Sequence, residues 1–377
     1  VRTPWLGNAL VLLLATTLVG AGVAALRGRW LPQLVPLAVG GAVIVFAFTT
    51  FRAGRVFDLA TPVVGTLLAW GGTMAWKQLT EGRYNRWLES TFSRYLAPSV
   101  IESLKADPSL LQLGGTRREL SILFSDVAGF TTHSRRLRPE QLVELLNRYL
   151  TAHCDAVFAQ GGVVDKFIGD AVVAFYGDPI PMDDHAVRAC RTALAVIDGL
   201  AALDPVWKGM GLAEFHVRIG VNSGPAVVGN MGSEQRFDYT VMGDTVNLAS
   251  RLEGSNKVFG TTILVGPTTA EAAKAAVVTK PLARIVVVGW DEPVLVHELL
   301  ATRERATPDL IAHVEAFARA ADAARAGDLA AADRALAAAE RLRPGDGPCR
   351  WLGALVADMR AGRAPTPWSG VLTLTGK

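Results

Sequence analysis

Cysteine is scarce in this chain: three residues in 377, at Cys154, Cys190 and Cys349, far apart and odd in number. That excludes a disulfide framework and cysteine-based zinc spacing, and makes a reduced cytosol the expected compartment for the soluble part. Charge is thin as well, with 19% charged residues and a formal net charge of +3. Lys and Arg are scattered, without the basic stripe that marks a nucleic-acid binder, so no nucleic-acid partner is expected. Acidic ligands must be met by individual residues. What the chain has in excess is apolar: half of it is hydrophobic, mean hydropathy is +0.28, and the surplus lies before residue 77. Such a bias points to membrane segments rather than to an oversized core.

Ala9 to Leu26, Leu31 to Phe51 and Leu59 to Trp76 are free of charge, each about long enough to cross ~30 Å of hydrocarbon as a helix. Three transmembrane helices are expected, with Trp70 and Trp76 near one interface. Arg27 and Arg29 in the first loop, and Lys77, Arg83 and Arg86 after the third run, put the positive flanks on one side, the cytoplasm; Arg52 and Arg55 in the second loop oppose this. The chain is thus expected in the inner or plasma membrane, multi-pass, with its soluble part cytoplasmic. From Lys77 to Leu113, Tyr84, Trp87, Leu88, Phe92, Tyr95 and Leu96 recur at helical spacing. Ala97-Pro98-Ser99 breaks this helix, and Ser99 caps a short second one, Val100 to Ala106. The joint either passes on a rotation or is a passive linker.

Residues 118 to 300 alternate strands and helices. Strands are expected at Glu119–Ser125, Val163–Ile168, Ala171–Tyr176 and Phe215–Val221, with helices at Pro139–Gln160 and Asp184–Leu203. The order βαββαβ is ferredoxin-like, an α+β class. A Gly-rich arm, Ser223 to Gly232, a Gly243-Asp244 turn and a helix over Val246–Lys257 follow. The domains are accordingly a membrane domain, 1–76; a helical linker, 77–117; an α+β domain, 118–302; and a C-terminal extension, 303–377. In that extension Thr307-Pro308 starts one helix, Gly327-Asp328 ends it and caps another, and Pro344-Gly345 ends that. A single helical hairpin results, resembling one tetratricopeptide unit and serving as a packing or docking surface.

Two aspartates carry the chemistry. Asp170 sits in the Gly169-Asp170 turn between two strands, and Asp126 ends another strand before VAGFTT. They are either ordinary turn residues or one metal site, since Mg²⁺ takes oxygen ligands and bridges carboxylates to phosphates. Arg218, on a strand between Val217 and Ile219, and the i,i+4 pair Asn247 and Arg251 would pass for surface residues by pattern alone.

LFSDVAGFT (123 to 131), GGVVDKFIGDAVVAFYG (161 to 177), VRIGVNSGPAVVGNMGS (217 to 233) and YTVMGDTVNLASRLE (239 to 253) together resemble the catalytic domain of class III nucleotidyl cyclases. FSRYLAPSV (92 to 100) and WSGVLTLTGK (368 to 377) resemble extensions of bacterial members. The spans resemble those of receptors with a CHASE-type sensor, which implies an extracytoplasmic sensor domain ahead of Val1. The resemblance implies a membrane-bound adenylate cyclase that converts ATP to 3′,5′-cyclic AMP and pyrophosphate with two divalent cations, Mg²⁺ or Mn²⁺. It assigns the metals to Asp126, Val127 and Asp170, and phosphate binding to Arg218 and to the turn residues Ala128, Gly129, Phe130 and Thr131. It makes Asn247 the ribose-orienting residue and Arg251 the transition-state arginine. Because the family splits these residues between subunits and this chain holds both sets, a homodimer with two shared sites is implied.

Base choice falls on Lys166 and Thr240, a donor and an acceptor that complement adenine. Guanylate-forming relatives carry an acid and usually a Cys there, whereas Thr240 resembles a subgroup reported as bicarbonate-responsive. One departure stands out: relatives read VKGK where this chain has Val287, Val288, Gly289 and Trp290, so a triphosphate lysine is absent. Either triphosphate affinity is lower or a cation such as Lys257 compensates. A catalytically silent receptor or scaffold is the alternative this keeps open; a diguanylate cyclase is not, because its GG(D/E)EF turn is missing.

Overall fold

The structure is a computed structural model that describes residues 5–26, 31–92, 114–212, 215–233, 237–286 and 292–373. The joint at Ala97–Ser99, the short helix expected after it, and Val287–Trp290 lie outside the described residues. Two compact units divide the chain, Val1–Thr91 and Phe92–Lys377.

The first unit holds helices α1 (Trp5–Ala25), α2 (Leu31–Arg52) and α3, which runs from Ala60 to Phe92. Small residues let them approach: a Cβ on Gly22 would sit 2.8 Å from Val35, and one on Gly65 2.2 Å from Leu12. Leu13, Leu18, Leu37 and Leu68 nevertheless stay exposed, as suits helices surrounded by an apolar medium rather than by protein. Among the described residues, two helices and not the expected three are long and apolar enough to cross a membrane, Trp5–Ala25 and Pro32–Arg52. The third uncharged run supplies only the first half of α3. From Ala60 to Trp76 the rise is about 25 Å, diluted by Gly and Thr, and Lys77 then opens a charged stretch.

The second unit is α+β. Its strands are β1 (Gly114–Val127), β2 (Val163–Ile168), β3 (Ala171–Tyr176), β4 (Val217–Gly232), β5 (Phe237–Met242), β6 (Ile263–Val265), β7 (Val277–Val286), β8 (Val294–Thr302) and β9 (Val371–Thr373). They form one sheet in the order β2-β3-β1-β4-β6-β8-β7-β9, with β5 paired to β4. The first four strands take the order expected of a βαββαβ unit. Strand β4 is longer than the sequence pattern indicates. It continues through the Gly-rich arm, because β1 pairs with it from Val127↔Val217 to Gly114↔Asn230, and glycines permit that close pairing.

Alternation along β1 and β4 decides what faces what. Leu123 and Val127 of β1, with Val217, Ile219 and Val221 of β4, join one core under α5 (Pro139–Ala159) and α6 (His185–Ala202), reached through the short α4 (Phe130–Arg136). Beyond α6 comes a short α7 (Asp204–Gly209). Leu120 and Ile122 face the other way, toward Ala249 of α8 (Asp244–Phe259). Asp126, Arg218 and Gly220 share that second face. Gly220 is required there: a Cβ would lie 2.2 Å from the Ala249 carbonyl oxygen and 2.3 Å from the Glu253 nitrogen. Helix α9 (Pro267–Ala273) leads into the β7–β8 hairpin.

The tail folds as three helices, α10 (Pro308–Ala326), α11 (Leu329–Leu342) and α12 (Gly347–Arg360), not as a two-helix hairpin. Pro344-Gly345 does stop α11, but Asp346 immediately caps a new helix by accepting from the Cys349 N–H at 3.0 Å, and Pro348 is pre-set for its first turn. β9 then pairs in parallel with β7, and the tail shares a core with α8, β7 and β8. At its centre lies Lys280 of β7, fully buried. Its Nζ donates to both Asp346 carboxylate oxygens at 2.8 Å and to His313 Nε2 at 3.1 Å. It also pairs with Glu298 at 2.8 Å. His313, Asp346 and Cys349 lie close enough to resemble a metal cluster, but the ammonium group fills the place an ion would take.

Candidate active site

The Asp126 end of β1 and the β2–β3 turn converge because β1 pairs with β3 from Ser121↔Tyr176 to Ser125↔Val172, which brings the turn beyond Ala171 level with Asp126. Gly169 takes a left-handed φ of 67° there, a conformation glycine adopts without strain, and Asp170 follows it. One Asp170 oxygen accepts the Val127 N–H at 3.3 Å. Burial, then a hydrogen bond and the charge of Asp170, push the Asp126 carboxyl up to about 6, while the Val127 N–H and Arg218 pull it down. Arg218 pairs directly opposite Asp126 in the β1–β4 register, so the guanidinium side chain emerges on the same face as the carboxyl.

Glu253 belongs to this cluster too, and the sequence pattern does not reveal it. Burial, then the negative charge of Asp126, push its carboxyl up to about 7, with Arg218 opposing and Asp170 adding to the shift. It arrives there because Gly220 lets α8 settle onto β4, so a sheet glycine in contact with a helix is the only signal that could have found it. Three acids and one arginine therefore form one half-buried cluster. The donor set is all oxygen and short of positive charge, which fits hard divalent cations.

After Val127 the chain turns into α4. The Ala128 N–H is spent on the His216 carbonyl oxygen at 2.8 Å and the Val127 N–H on Asp170, so of the five turn residues Gly129, Phe130 and Thr131 are those left to offer amides to phosphate.

The other expected site residues are grouped elsewhere. Lys166 on β2 and Thr240 on β5 flank Asp165: the Thr240 hydroxyl donates to Asp165 Oδ2 at 3.0 Å, and Lys166 Nζ lies 3.6 Å from Oδ1. Beside them Tyr239 donates to Asp178, a buried acid also paired with Arg118 at 3.5 Å. Asn247 is exposed and Arg251 half-buried on α8, about 200° around the helix from Ala249 and Glu253 respectively. Among the described residues, no hydrogen bond or ion pair links Asn247 or Arg251 to Asp126 or Asp170. One chain thus presents a carboxylate group, a base-reading group and an Asn/Arg pair that it does not itself bring together.

Residues 115–296 match the adenylate and guanylate cyclase catalytic domain family. The chain is 35% identical over 267 residues to adenylate cyclase 1 of Rhizobium meliloti (strain 1021), covering 65% of this chain and 39% of that protein. It is 32% identical over 215 residues to an adenylate cyclase of Anabaena cylindrica, covering 57% and 41%. The chain therefore spans less than half the length of these curated relatives. A solved bacterial light-regulated adenylyl cyclase is 26% identical with a TM-score of 0.50, covering 68% of this chain and 71% of that one.

Proposed function

Since residues 115–296 of this chain belong to the adenylate and guanylate cyclase catalytic domain family, we propose that the protein is a membrane-bound adenylate cyclase that closes ATP to 3′,5′-cyclic AMP and releases pyrophosphate at a homodimer interface. The observation that carries the reading is the Asp126–Asp170 pair with Arg218 opposite it, on a strand end where the fold gains nothing from a buried acid. Two divalent cations, Mg²⁺ or Mn²⁺, held by Asp126, Asp170 and Val127, would supply Lewis acidity to the ribose 3′-hydroxyl and to the triphosphate. Arg218 and the Gly129–Thr131 amides hold phosphate oxygens. From a second copy, Asn247 orients the ribose and Arg251 meets the charge that develops on the α-phosphoryl oxygens as the 3′-oxygen attacks and pyrophosphate leaves. Lys166 and Thr240 of that same copy read the adenine. The placement of Asn247, exposed, and Arg251, half-buried, without a link to their own Asp126 or Asp170 supports a site shared between two chains. The two apolar N-terminal helices support attachment to a membrane with the catalytic domain on its cytoplasmic side.

Purified protein given ATP or GTP with Mn²⁺ or Mg²⁺ should form cyclic AMP and pyrophosphate in equal amounts, and cyclic GMP far more slowly. Cyclic GMP as the main product would overturn the base assignment. No cyclic product from either nucleotide would favour a silent receptor, the reading that the lysine missing at Val287–Trp290 supports.

A further inference from the structure

Strand β2 pairs with β3 with one slip: Val164 faces Ala174 and Lys166 faces Val173, leaving Asp165 without a partner residue. Such a bulge re-aims a side chain, so two consecutive residues can serve one spot instead of opposite faces of the sheet. The Asp165 side chain is only 2% exposed. Its Oδ2 accepts the Thr240 hydroxyl, and its Oδ1 is buried without a hydrogen-bond partner, Lys166 Nζ standing off at 3.6 Å. A buried carboxylate with an idle oxygen costs stability. It stands, however, between the two side chains assigned to the base.

We propose that Asp165 is a positioning residue that sets the base preference by fixing the polarity of the Thr240 hydroxyl. The inference rests on the reading that Lys166 and Thr240 contact the base. An ionised carboxylate can only accept, so Thr240 must donate its single proton to Asp165, and only lone pairs remain for the ligand. An oxygen that can only accept suits the exocyclic amino group of adenine and meets the carbonyl oxygen of guanine acceptor to acceptor. Lys166 is drawn to the same carboxylate without being bound by it, and keeps N–H donors for a ring nitrogen of adenine. Burial, partly offset by Lys166 and Thr240, pushes the Asp165 carboxyl up to about 6, which leaves it ionised at neutral pH.

The test is Asp165→Asn in the full chain with Mn²⁺, reading kcat/KM for ATP and for GTP. An amide can offer Thr240 either an oxygen or an N–H, which frees the hydroxyl to donate to guanine. The ATP-to-GTP ratio should fall about tenfold, the worth of one hydrogen bond. Thr240→Val should lower the ratio as well, and adding Asp165→Asn to it should change nothing further, because no hydroxyl is left to orient. Equal losses for both nucleotides in Asp165→Asn would overturn the proposal and leave Asp165 a purely structural role. An unchanged ratio in Thr240→Val would instead overturn the base reading beneath it. Should Asp165→Asn not fold, the unmodified protein reports by pH. Its ratio should fall between about pH 7 and pH 5 as Asp165 takes up a proton, with Lys166 and Asp238 the charged groups facing it. Losses at Asp126 and Glu253 affect both nucleotides alike and divide out. A flat ratio overturns the proposal.

Discussion

At Asp126 the fold holds a carboxyl whose charge is unwelcome without a cation. Its folded pKa of about 6 lies above the ordinary 3.8, and Glu253 at about 7 lies above 4.5. A raised acid binds its proton more tightly folded than unfolded, so its ionisation opposes folding. Compared with Asp126→Asn, which shares every other titration, the metal-free protein should therefore lose relative stability as pH climbs from about 4 to about 6 and recover it on acidification, and Mn²⁺ at neutral pH should restore it. Asp126→Asn should melt a few degrees higher than the unmodified protein in chelator at neutral pH, respond little to Mn²⁺, and turn over no ATP, as function traded for stability predicts. A variant that melts lower and keeps its turnover would remove Asp126 from the metal site. Asp126 and Asp170 were legible in the sequence because strand ends and a Gly-Asp turn are local features. Glu253 and Asp165 were not. The first reaches the cluster only through the contact of α8 with Gly220, the second only through a bulge, and neither event leaves a periodic trace.

Element boundaries show the same division. The β2–β3 hairpin was readable to the residue, since alternation and a two-residue turn are short-range. The passage of β4 through the Gly-rich arm depends on pairing with β1, roughly a hundred residues away. The tail illustrates the point energetically: two helices could be read from caps, yet their attachment to the sheet rests on Lys280, an isolated lysine in the strand pattern. Lys280→Met would leave Glu298 and Asp346 buried without the ammonium group between them, with only the half-exposed Arg343 at 3.7 Å from Asp346, a loss of about 3–5 kcal/mol. Urea unfolding should register it as a lower midpoint of a single transition, because tail and sheet share one core. A near-normal midpoint, or a tail that unfolds separately at lower urea, would mean the latch does not bind the two. Through Trp351, whose ring meets Phe259 of α8 at 4.9 Å, the tail also braces the helix that carries Asn247 and Arg251. Loss of the latch should consequently lower kcat more than it raises KM for ATP.

For the molecule as a whole, the decisive feature is incompleteness. Each chain exposes apolar side chains at the tip of the β2–β3 hairpin and along the β4–β5 arm: Phe167 is 42% exposed, Ile168 57% and Met242 54%. A second copy covering these faces by a two-fold would also set the Asn247 and Arg251 side of one α8 against the carboxylates of the other chain. On the proposed assignment, Asp126→Ala removes the metal half of a site and Arg251→Ala the half that meets transition-state charge, where losing one such donor costs about 10²–10³ in rate. Each variant alone should be nearly inactive. In a heterodimer, one interface collects both defects and the other has none, so one of two sites is intact. With random pairing of equal amounts, half the dimers are mixed, and co-expression should restore about a quarter of the unmodified activity. Co-expression is preferable to mixing purified proteins, because the N-terminal helices would hold preformed dimers together. Tagged heterodimers, isolated and found no more active than either parent, would show that Asp126 and Arg251 serve the same chain's site, and the shared-site reading would fall.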